Sequence, residues 1–146
     1  MKQYYAYEHF RDDTNKLIDD VKEFAPEAIL SIARGGYTLS HAMAEGLNIR
    51  DVQSIRTELY DGECKREGIS LFGECNFRVK RVLVVDDIAD SGETLEHIMN
   101  YLNENFSDVV FKSATLFYKK TSIYEPDFWI NEASAWIEFF WEKDFV

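Results

Sequence analysis

The residues of this sequence that could do chemistry are concentrated between positions 86 and 94. Four carboxylates fall within eight positions there, with no basic side chain between them: Asp86, Asp87, Asp90 and Glu93. Carboxylates this close repel one another, so a cation should lie beside them. Any one of these acids alone fits an ordinary role, such as Asp90 as a helix N-cap with Glu93 completing a capping box. The group as a whole favours a binding site.

Hydroxyl and small residues next to the acids indicate a phosphate site. Ser91, Gly92 and Thr94 lead into an amphipathic segment, and the first turn of a helix offers free backbone N–H groups to an anion. A hard divalent ion is usually held by a few carboxylate oxygens together with substrate phosphates. The segment therefore predicts a site for a phosphorylated sugar and Mg2+, with Asp86 and Asp87 as candidate ligands of the metal or of ribose hydroxyls.

The elements around this segment predict an α/β fold. Residues 81–87 are a β-branched apolar run of the kind that is buried on both faces of a parallel sheet. Residues 28–33 and 109–118 are two further predicted strands. Strand, turn and helix in succession predict a mostly parallel central sheet flanked by helices, with ligands beyond the carboxyl ends of the strands. The helix after the acidic segment is marked by apolar residues at helical spacing: Leu95, Ile98, Met99, Leu102 and Phe106.

Two more helices precede the acidic segment. Residues 8–24 have an amphipathic helical pattern, and Pro26 prevents its continuation. A second helical pattern follows the Gly-Gly turn at residues 35–36, with Thr38 or Ser40 as its expected cap. These helices supply apolar faces that can cover the sheet.

The remaining segments include a polar loop and an aromatic C-terminus. Residues 51–60 favour a strand, and the polar, glycine-bounded stretch 60–68 is expected to form a mobile loop. The aromatic run at 136–141 follows a connection that contains proline, and we expect it to pack as a cap over the edge of the sheet.

Composition excludes several classes of protein. The 146 residues, 46% hydrophobic and 15% aromatic, are enough for a single folded domain spanning residues 1–146. The 16 basic and 27 acidic residues give a net charge of −11, which opposes binding to nucleic acid or anionic lipid. No apolar run could span a bilayer and the N-terminus lacks a signal-peptide pattern, so a cytoplasmic location is expected. Cys64 and Cys75 lack the neighbours of a zinc site and are expected to be reduced thiols.

Residues 84–94 resemble the phosphoribosyl-pyrophosphate signature of the type I phosphoribosyltransferases. The stretch reads Val-Val-Asp-Asp-Ile-Ala-Asp-Ser-Gly-Glu-Thr, a long and specific motif. The subgroup that the chain resembles most is that of the bacterial xanthine-guanine phosphoribosyltransferases, although Ser91 stands where Thr is more usual and Glu93 where Gly is frequent. The resemblance covers most of the chain. It implies the type I phosphoribosyltransferase fold, with a small hood at the C-terminal edge of the sheet, at about residues 119–146.

The resemblance assigns roles to two loops and implies a third. Ala33-Arg34-Gly35-Gly36 is similar to the family's pyrophosphate loop, in which glycines let backbone amides approach the leaving group and Arg34 adds charge-assisted hydrogen bonds. Residues 60–68 fall where the family has a mobile loop that excludes water, in which Lys65 and Arg66 are either phosphate contacts or solvated charges. Asp87 and Asp86 are the implied metal ligands. The implied phosphoribosyl-binding residues are Asp86, Asp87, Ala89, Asp90, Ser91, Gly92, Glu93 and Thr94.

The same resemblance implies a base pocket formed by Lys119, Trp136 and Ile137. A lysine ammonium can donate to the O6 atom of a 6-oxopurine, whereas it would meet the 6-amino group of adenine donor to donor. Trp136 offers a flat face for stacking, and the Ile137 backbone could bond the edge of the base. Asp90 is the implied general base or hydrogen-bond partner for the purine N7 proton. Trp141-Glu142 resembles a Trp-Asp pair of the subgroup.

The function implied is a Mg2+-dependent transfer of the 5-phosphoribosyl group from phosphoribosyl pyrophosphate to guanine, xanthine or hypoxanthine, as in purine salvage. Relatives commonly form homodimers or homotetramers. Two alternatives stay open: the acceptor is another nucleobase, or the chain is a regulator that binds phosphoribosyl pyrophosphate without catalysis. The charge of −11 weighs against a regulator that binds nucleic acid.

Overall fold

The central sheet is organised around the apolar run that ends at the acidic segment. In the computed structural model, which describes residues 1–61 and 67–145, this run forms β5 (Arg81–Val85). It lies between β2 (Ala28–Ala33) and β7 (Val110–Tyr118), and both are parallel to it. Residues 82–85 are completely buried, as a central parallel strand covered on both faces requires. The predicted mostly parallel sheet is confirmed.

Further strands extend the sheet on both sides. β3 (Val52–Asp61) pairs with β2 in parallel, and β4 (Glu67–Phe72) adds an antiparallel edge. β8 (Phe128–Glu132) pairs with β7. The two-residue strand β6 (Ile88–Ala89) pairs with β7 in the same register as β5 does. Strands β5 and β6 are therefore one line of pairing interrupted at Asp86 and Asp87.

Helices cover the two faces of this sheet. α1 (Tyr7–Val21), which ends in a 3-10 turn (Lys22–Phe24), and α2 (Tyr37–Leu47) pack on one face, where Leu17, Leu39 and Met43 meet Leu83 and Val85. α3 (Glu93–Asn105) packs on the other, where Leu95 and Ile98 meet Val82 and Val84. Alternate residues of β5 thus enter opposite cores, the period-two pattern of a strand.

A separate two-stranded sheet lies at the C-terminal side. The N-terminal strand β1 (Lys2–Tyr5) pairs in parallel with β9 (Trp136–Phe139), and the short helix α4 (Phe140–Lys143) follows directly. The aromatic run was expected to cap the sheet edge, but four of its residues form a strand of their own. Its partner β1 has no apolar alternation that would mark it as a strand in the sequence.

Two local predictions need correction. Neither Thr38 nor Ser40 caps α2, because the helix already begins after Gly36, whose carbonyl accepts a bond from the Ser40 N–H at 2.8 Å. The expected loop at 60–68 is shorter, since its ends pair as strands, Tyr60 with Gly68 and Asp61 with Glu67. Its centre, with Cys64, Lys65 and Arg66, lies outside the described residues.

No helix in the described part of the chain is long and apolar enough to cross a membrane.

Candidate active site

The interruption between β5 and β6 places two carboxylates at the carboxyl end of the central strand. The Asp86 N–H donates to the Ala114 carbonyl at 3.2 Å, and the Asp87 carbonyl accepts bonds from Leu116 and Phe117 at 3.0 and 3.2 Å. The backbone of the pair is therefore fixed to β7. Asp86 is half-buried and Asp87 is buried, with 8% of its surface exposed. The side chains are held in place by the strand pairing, not by a flexible loop.

Burial makes this pair unfavourable when both acids are ionised. Burial and then the charge of Asp87 raise the pKa of the Asp86 carboxyl well above its usual range. Burial also raises the pKa of Asp87 to about 6, the charge of Glu142 adds to this, and a hydrogen bond with Asp86 partly offsets it. Adjacent carboxylates with raised pKa values gain stability from a bound cation.

The phosphate loop predicted from the sequence begins α3, but with a different cap. The N-cap is Gly92 at φ 87°, not Asp90, so the capping-box interpretation is wrong. The Ser91 hydroxyl instead accepts a hydrogen bond from the Glu93 N–H at 3.2 Å. A Cβ on Gly92 would collide with Ser122 and would lie 2.7 Å from the Tyr124 backbone nitrogen. The Ile123 N–H donates to the Ser91 carbonyl at 2.9 Å. The loop is thus fixed by the Ser122–Tyr124 segment, and the other first-turn N–H groups of α3 can face an anion.

The predicted pyrophosphate loop lies directly against the acidic pair. Its Ala33–Arg34 peptide bond is cis, and Arg34 is exposed. A Cβ on Gly35 would lie 2.6 Å from Asp87 Oδ2, and one on Gly36 would lie 2.5 Å from the Val85 carbonyl oxygen. Both glycines are therefore required for the loop to approach the end of β5.

The candidate base-binding residues meet on the other side of the acids. Lys119 Nζ lies 3.0 Å from Asp90 Oδ1, and about half of each side chain is exposed. The Lys119 N–H donates to the Ala89 carbonyl at 3.1 Å, which fixes the lysine beside β6. Trp136 is 64% exposed, with its ring open to the solvent, whereas Ile137 is buried.

Almost every residue predicted for the site lines one of three adjoining pockets. Asp87, Ile88 and Asp90 line both the first and the third, and Glu142 lines both the first and the second. The first, of about 260 Å³, is lined by Asp87, Ile88, Asp90, Lys119, Ala135, Trp136, Ile137, Phe139 and Glu142. The second is lined by Arg34, Gly35, Tyr37, Thr38, Trp141, Glu142 and Phe145. The third is lined by Asp86, Asp87, Ile88, Ala89, Asp90, Ser91, Gly92, Thr94 and Leu95.

Two predicted residues lie outside these linings, and several lining residues were not predicted. Gly36 is buried, and Glu93, the first residue of α3, is exposed. Tyr37, Thr38, Phe139 and Phe145 join the pockets only through the fold, because nothing in their types signals a site. Glu142 had a signal in its pairing with Trp141, and the structure places it between two pockets.

A family model described as the phosphoribosyl transferase domain matches residues 2–144. The chain belongs to the phosphoribosyltransferase family. A xanthine-guanine phosphoribosyltransferase of Cereibacter sphaeroides is 30% identical over 125 residues, which cover 79% of this chain and 68% of that protein. Its counterpart in Nitratidesulfovibrio vulgaris is 27% identical over 142 residues, 95% of this chain and 83% of that protein.

A solved structure gives the same result for the fold. The xanthine-guanine-hypoxanthine phosphoribosyltransferase of Helicobacter pylori superposes with a TM-score of 0.90 at 35% identity, over 99% of this chain and 96% of that one. The predicted phosphoribosyltransferase family and the predicted type I phosphoribosyltransferase fold are both confirmed.

The acidic pair fits the Mg2+ that phosphoribosyltransferases generally use. Among the described residues, no group of three His, Cys, Asp or Glu side chains is placed to hold a metal ion. A metal here would take Asp86 or Asp87 together with oxygens of the substrate, which is how Mg2+ is usually bound. The close contact of Asp87 with Gly35 puts such a metal within reach of the pyrophosphate loop.

Replacing Asp87 by asparagine should stabilise the metal-free protein increasingly as pH rises. Folding raises the pKa of Asp87 from 3.8 to about 6, so the folded state keeps a proton that the unfolded chain has released. This contribution lowers wild-type stability as pH rises through that window. The advantage of Asp87→Asn in free energy of unfolding should therefore grow by roughly 1–3 kcal/mol between pH 4 and pH 7.

Urea unfolding in EDTA at a series of pH values measures this difference. Asp108→Asn, at an exposed aspartate, is the matched control and should show no such trend. An advantage of Asp87→Asn that stays constant with pH would contradict the raised pKa.

Adding a methyl group to Gly35 should weaken phosphoribosyl-pyrophosphate binding. Because the new carbon would lie 2.6 Å from Asp87 Oδ2, the carboxylate or the loop must move, and affinity in Mg2+ should fall at least about tenfold. Calorimetric titration of Gly35→Ala measures this. Gly46→Ala is the control, since its methyl meets only the flexible end of Ile18. Equal affinities of Gly35→Ala and the wild type would contradict the placement of the loop.

Proposed function

We propose that this chain transfers the 5-phosphoribosyl group from phosphoribosyl pyrophosphate to a 6-oxopurine, giving a nucleoside 5′-monophosphate and pyrophosphate. The observation that carries the proposal is the Lys119–Asp90 pair, whose charged atoms lie 3.0 Å apart and line one pocket with Trp136. The names of the relatives in Cereibacter, Nitratidesulfovibrio and Helicobacter support this substrate class. The chemistry is that of purine salvage.

The pair matches the edge of a 6-oxopurine, which presents an acceptor at O6 beside a donor at N7. Lys119 would donate to O6 while Asp90 accepts from the N7–H. Adenine presents a 6-amino donor to the lysine and leaves the ammonium unpaired, which disfavours it. The exposed ring of Trp136 provides the stacking surface. The pocket therefore selects guanine, xanthine or hypoxanthine over adenine.

The reaction forms a bond from the purine N9 to C1 of the ribose and breaks the bond from C1 to the pyrophosphate oxygen. Positive charge develops at C1 in the transition state, and the N7 proton leaves to Asp90 once N9 has bonded. Arg34 and the amides of the pyrophosphate loop would stabilise the departing pyrophosphate, while the loop at residues 90–94 holds the 5-phosphate. Mg2+, when bound at Asp86 or Asp87, would neutralise charge on the pyrophosphate.

Asp90→Asn should lower turnover of guanine about 100-fold or more while the protein stays folded. The amide can still bond the N7 edge but cannot take up a proton, which is the contribution of a general base. Steady-state release of pyrophosphate gives kcat, and circular dichroism checks the fold. Asp108→Asn makes the same change at an exposed site away from the pockets. Unchanged turnover of Asp90→Asn would remove this residue from the reaction.

The substitution Lys119→Met should abolish the enzyme's preference for 6-oxopurines over adenine. Without the ammonium, kcat/KM for guanine should fall about 10- to 100-fold, because O6 loses a charged partner, whereas the small adenine activity should not fall. Lys120→Met is the matched control, since Lys120 pairs with Glu132 at 3.7 Å outside the pocket. If Lys119→Met leaves guanine turnover unaffected, Lys119 does not recognise O6, and the argument that this pocket prefers 6-oxopurines to other nucleobases fails.

A further inference from the structure

A hydrogen-bonded network lies behind the base pocket and contains no residue assigned to the reaction. The Tyr5 hydroxyl donates to Asp13 Oδ2 at 2.6 Å, and Asn131 Nδ2 donates to the same oxygen at 2.9 Å. Asn131 also donates to the Leu116 carbonyl at 3.3 Å. One carboxylate of α1 thus joins β1, β8 and, through Asn131, β7.

The Tyr5 hydroxyl stays protonated and donates a hydrogen bond within this network. Its side chain is almost completely buried, with 2% exposed. Burial first, and then the bond to Asp13, raise its pKa above the usual range. The phenol therefore keeps its proton, and replacing it with an apolar ring would deprive Asp13 of its shortest bond.

The ring of Tyr5 contacts one residue that lines the base pocket and one residue of the strand that leads to Lys119. It packs edge-to-face on Phe117 at 5.0 Å and on Phe139 at 5.7 Å between ring centres. Phe139 lines the pocket. Phe117 lies in β7, two residues before Lys119, which follows the end of that strand. Tyr5 is also paired with Phe139 in the register of β1 and β9.

The strand that carries Trp136 and Ile137 needs such an anchor. It belongs to a two-stranded sheet of four residue pairs, which by itself would be marginally stable, so its position depends on the packing of Tyr5, Ile137 and Phe139 in the core. Its main-chain partner is β1, so a displacement of β1 should move β9 with it. The Tyr5 hydroxyl bonds β1 to Asp13 in the second turn of α1, the helix that covers the main sheet.

We propose that Tyr5, acting through Asp13 and Asn131, is a positioning residue that holds strand β9 at the distance from Lys119 that a purine requires. The inference rests on the proposed function, because it takes the pocket between β9 and Lys119 as the base site. In the proposed function, phosphoribosyl pyrophosphate is bound by residues 34–36 and 86–94, which the side chains of Tyr5, Asp13 and Asn131 do not bond. The one indirect link is the backbone of Leu116, which is fixed in β7. Loss of the hydroxyl should therefore weaken binding of the base and leave binding of the phosphoribosyl donor unchanged.

Tyr5→Phe tests this with the loss of one oxygen atom. KM for guanine should rise about 3- to 10-fold, the effect of one lost hydrogen bond, while KM for phosphoribosyl pyrophosphate and kcat stay within about twofold. Tyr7→Phe makes the same change at an exposed tyrosine nearby and should alter neither KM. Asp13→Ala should raise KM for guanine, and Asp13→Asn, which keeps an acceptor, should restore much of the affinity.

Two further measurements separate positioning from a loss of stability. Hydrogen exchange at the amides of residues 136–139 should be faster in Tyr5→Phe, with the amides of β5 unchanged. Adding Tyr5→Phe to Asp13→Ala should raise KM no further, because the hydroxyl acts through that carboxylate. Assays are run at a temperature at which circular dichroism shows every variant folded.

The outcomes are distinct. If the wild type uses guanine and Tyr5→Phe changes neither KM, or raises both equally, Tyr5 is structural only and the inference is wrong while the proposed function stands. If the wild type uses no purine, the proposed function fails and this inference fails with it. A rise confined to KM for the base, with faster exchange in β9, supports it.

Discussion

The site depends on one interruption in the central sheet. β5 and β6 pair with β7 in a single register, and the two residues between them, Asp86 and Asp87, interrupt the pairing while the Asp87 carbonyl stays bonded to β7. This fixes two carboxylates at the end of a buried strand. The pyrophosphate loop can approach only because Gly35 has no side chain where it meets Asp87. The phosphate loop begins three residues beyond Asp87.

Electrostatics explain why such a site suits a charged substrate. Burying two adjacent acids raises their pKa values and costs stability. In the proposed function, a cation bound together with a diphosphate substrate would remove that cost. On the other side, Asp90 already has a cationic partner in Lys119. A 6-oxopurine could bond both members of that ion pair, with O6 accepting from Lys119 and the N7–H donating to Asp90. The ion pair would then determine which base is accepted.

Much of this site could be predicted from local sequence. The acidic segment has residue types that match its proposed chemistry, and the parallel sheet follows from the apolar run at 81–85. The roles expected of the Gly-Gly turn and of Lys119 came from the resemblance to the family. The cap of α3 could not be predicted, because Gly92 is required by the crossing of the Ser122–Tyr124 segment, a tertiary contact. Strand β1 was missed because its stability comes from pairing with residues more than 130 positions away. The network of Tyr5, Asp13 and Asn131 has no local pattern either, since Asn131 lies 118 positions from Asp13.

The proposed function requires the pocket between Lys119, Asp90 and Trp136 to receive a 6-oxopurine as acceptor of the phosphoribosyl group. Pyrophosphate release from phosphoribosyl pyrophosphate in Mg2+ tests this most directly, with guanine, xanthine, hypoxanthine, adenine, orotate and uracil assayed in parallel on the wild-type protein. We expect release with the three 6-oxopurines and little or none with the other bases. Release with adenine, orotate or uracil in preference to the 6-oxopurines, or phosphoribosyl-pyrophosphate binding without release for any base, would contradict it.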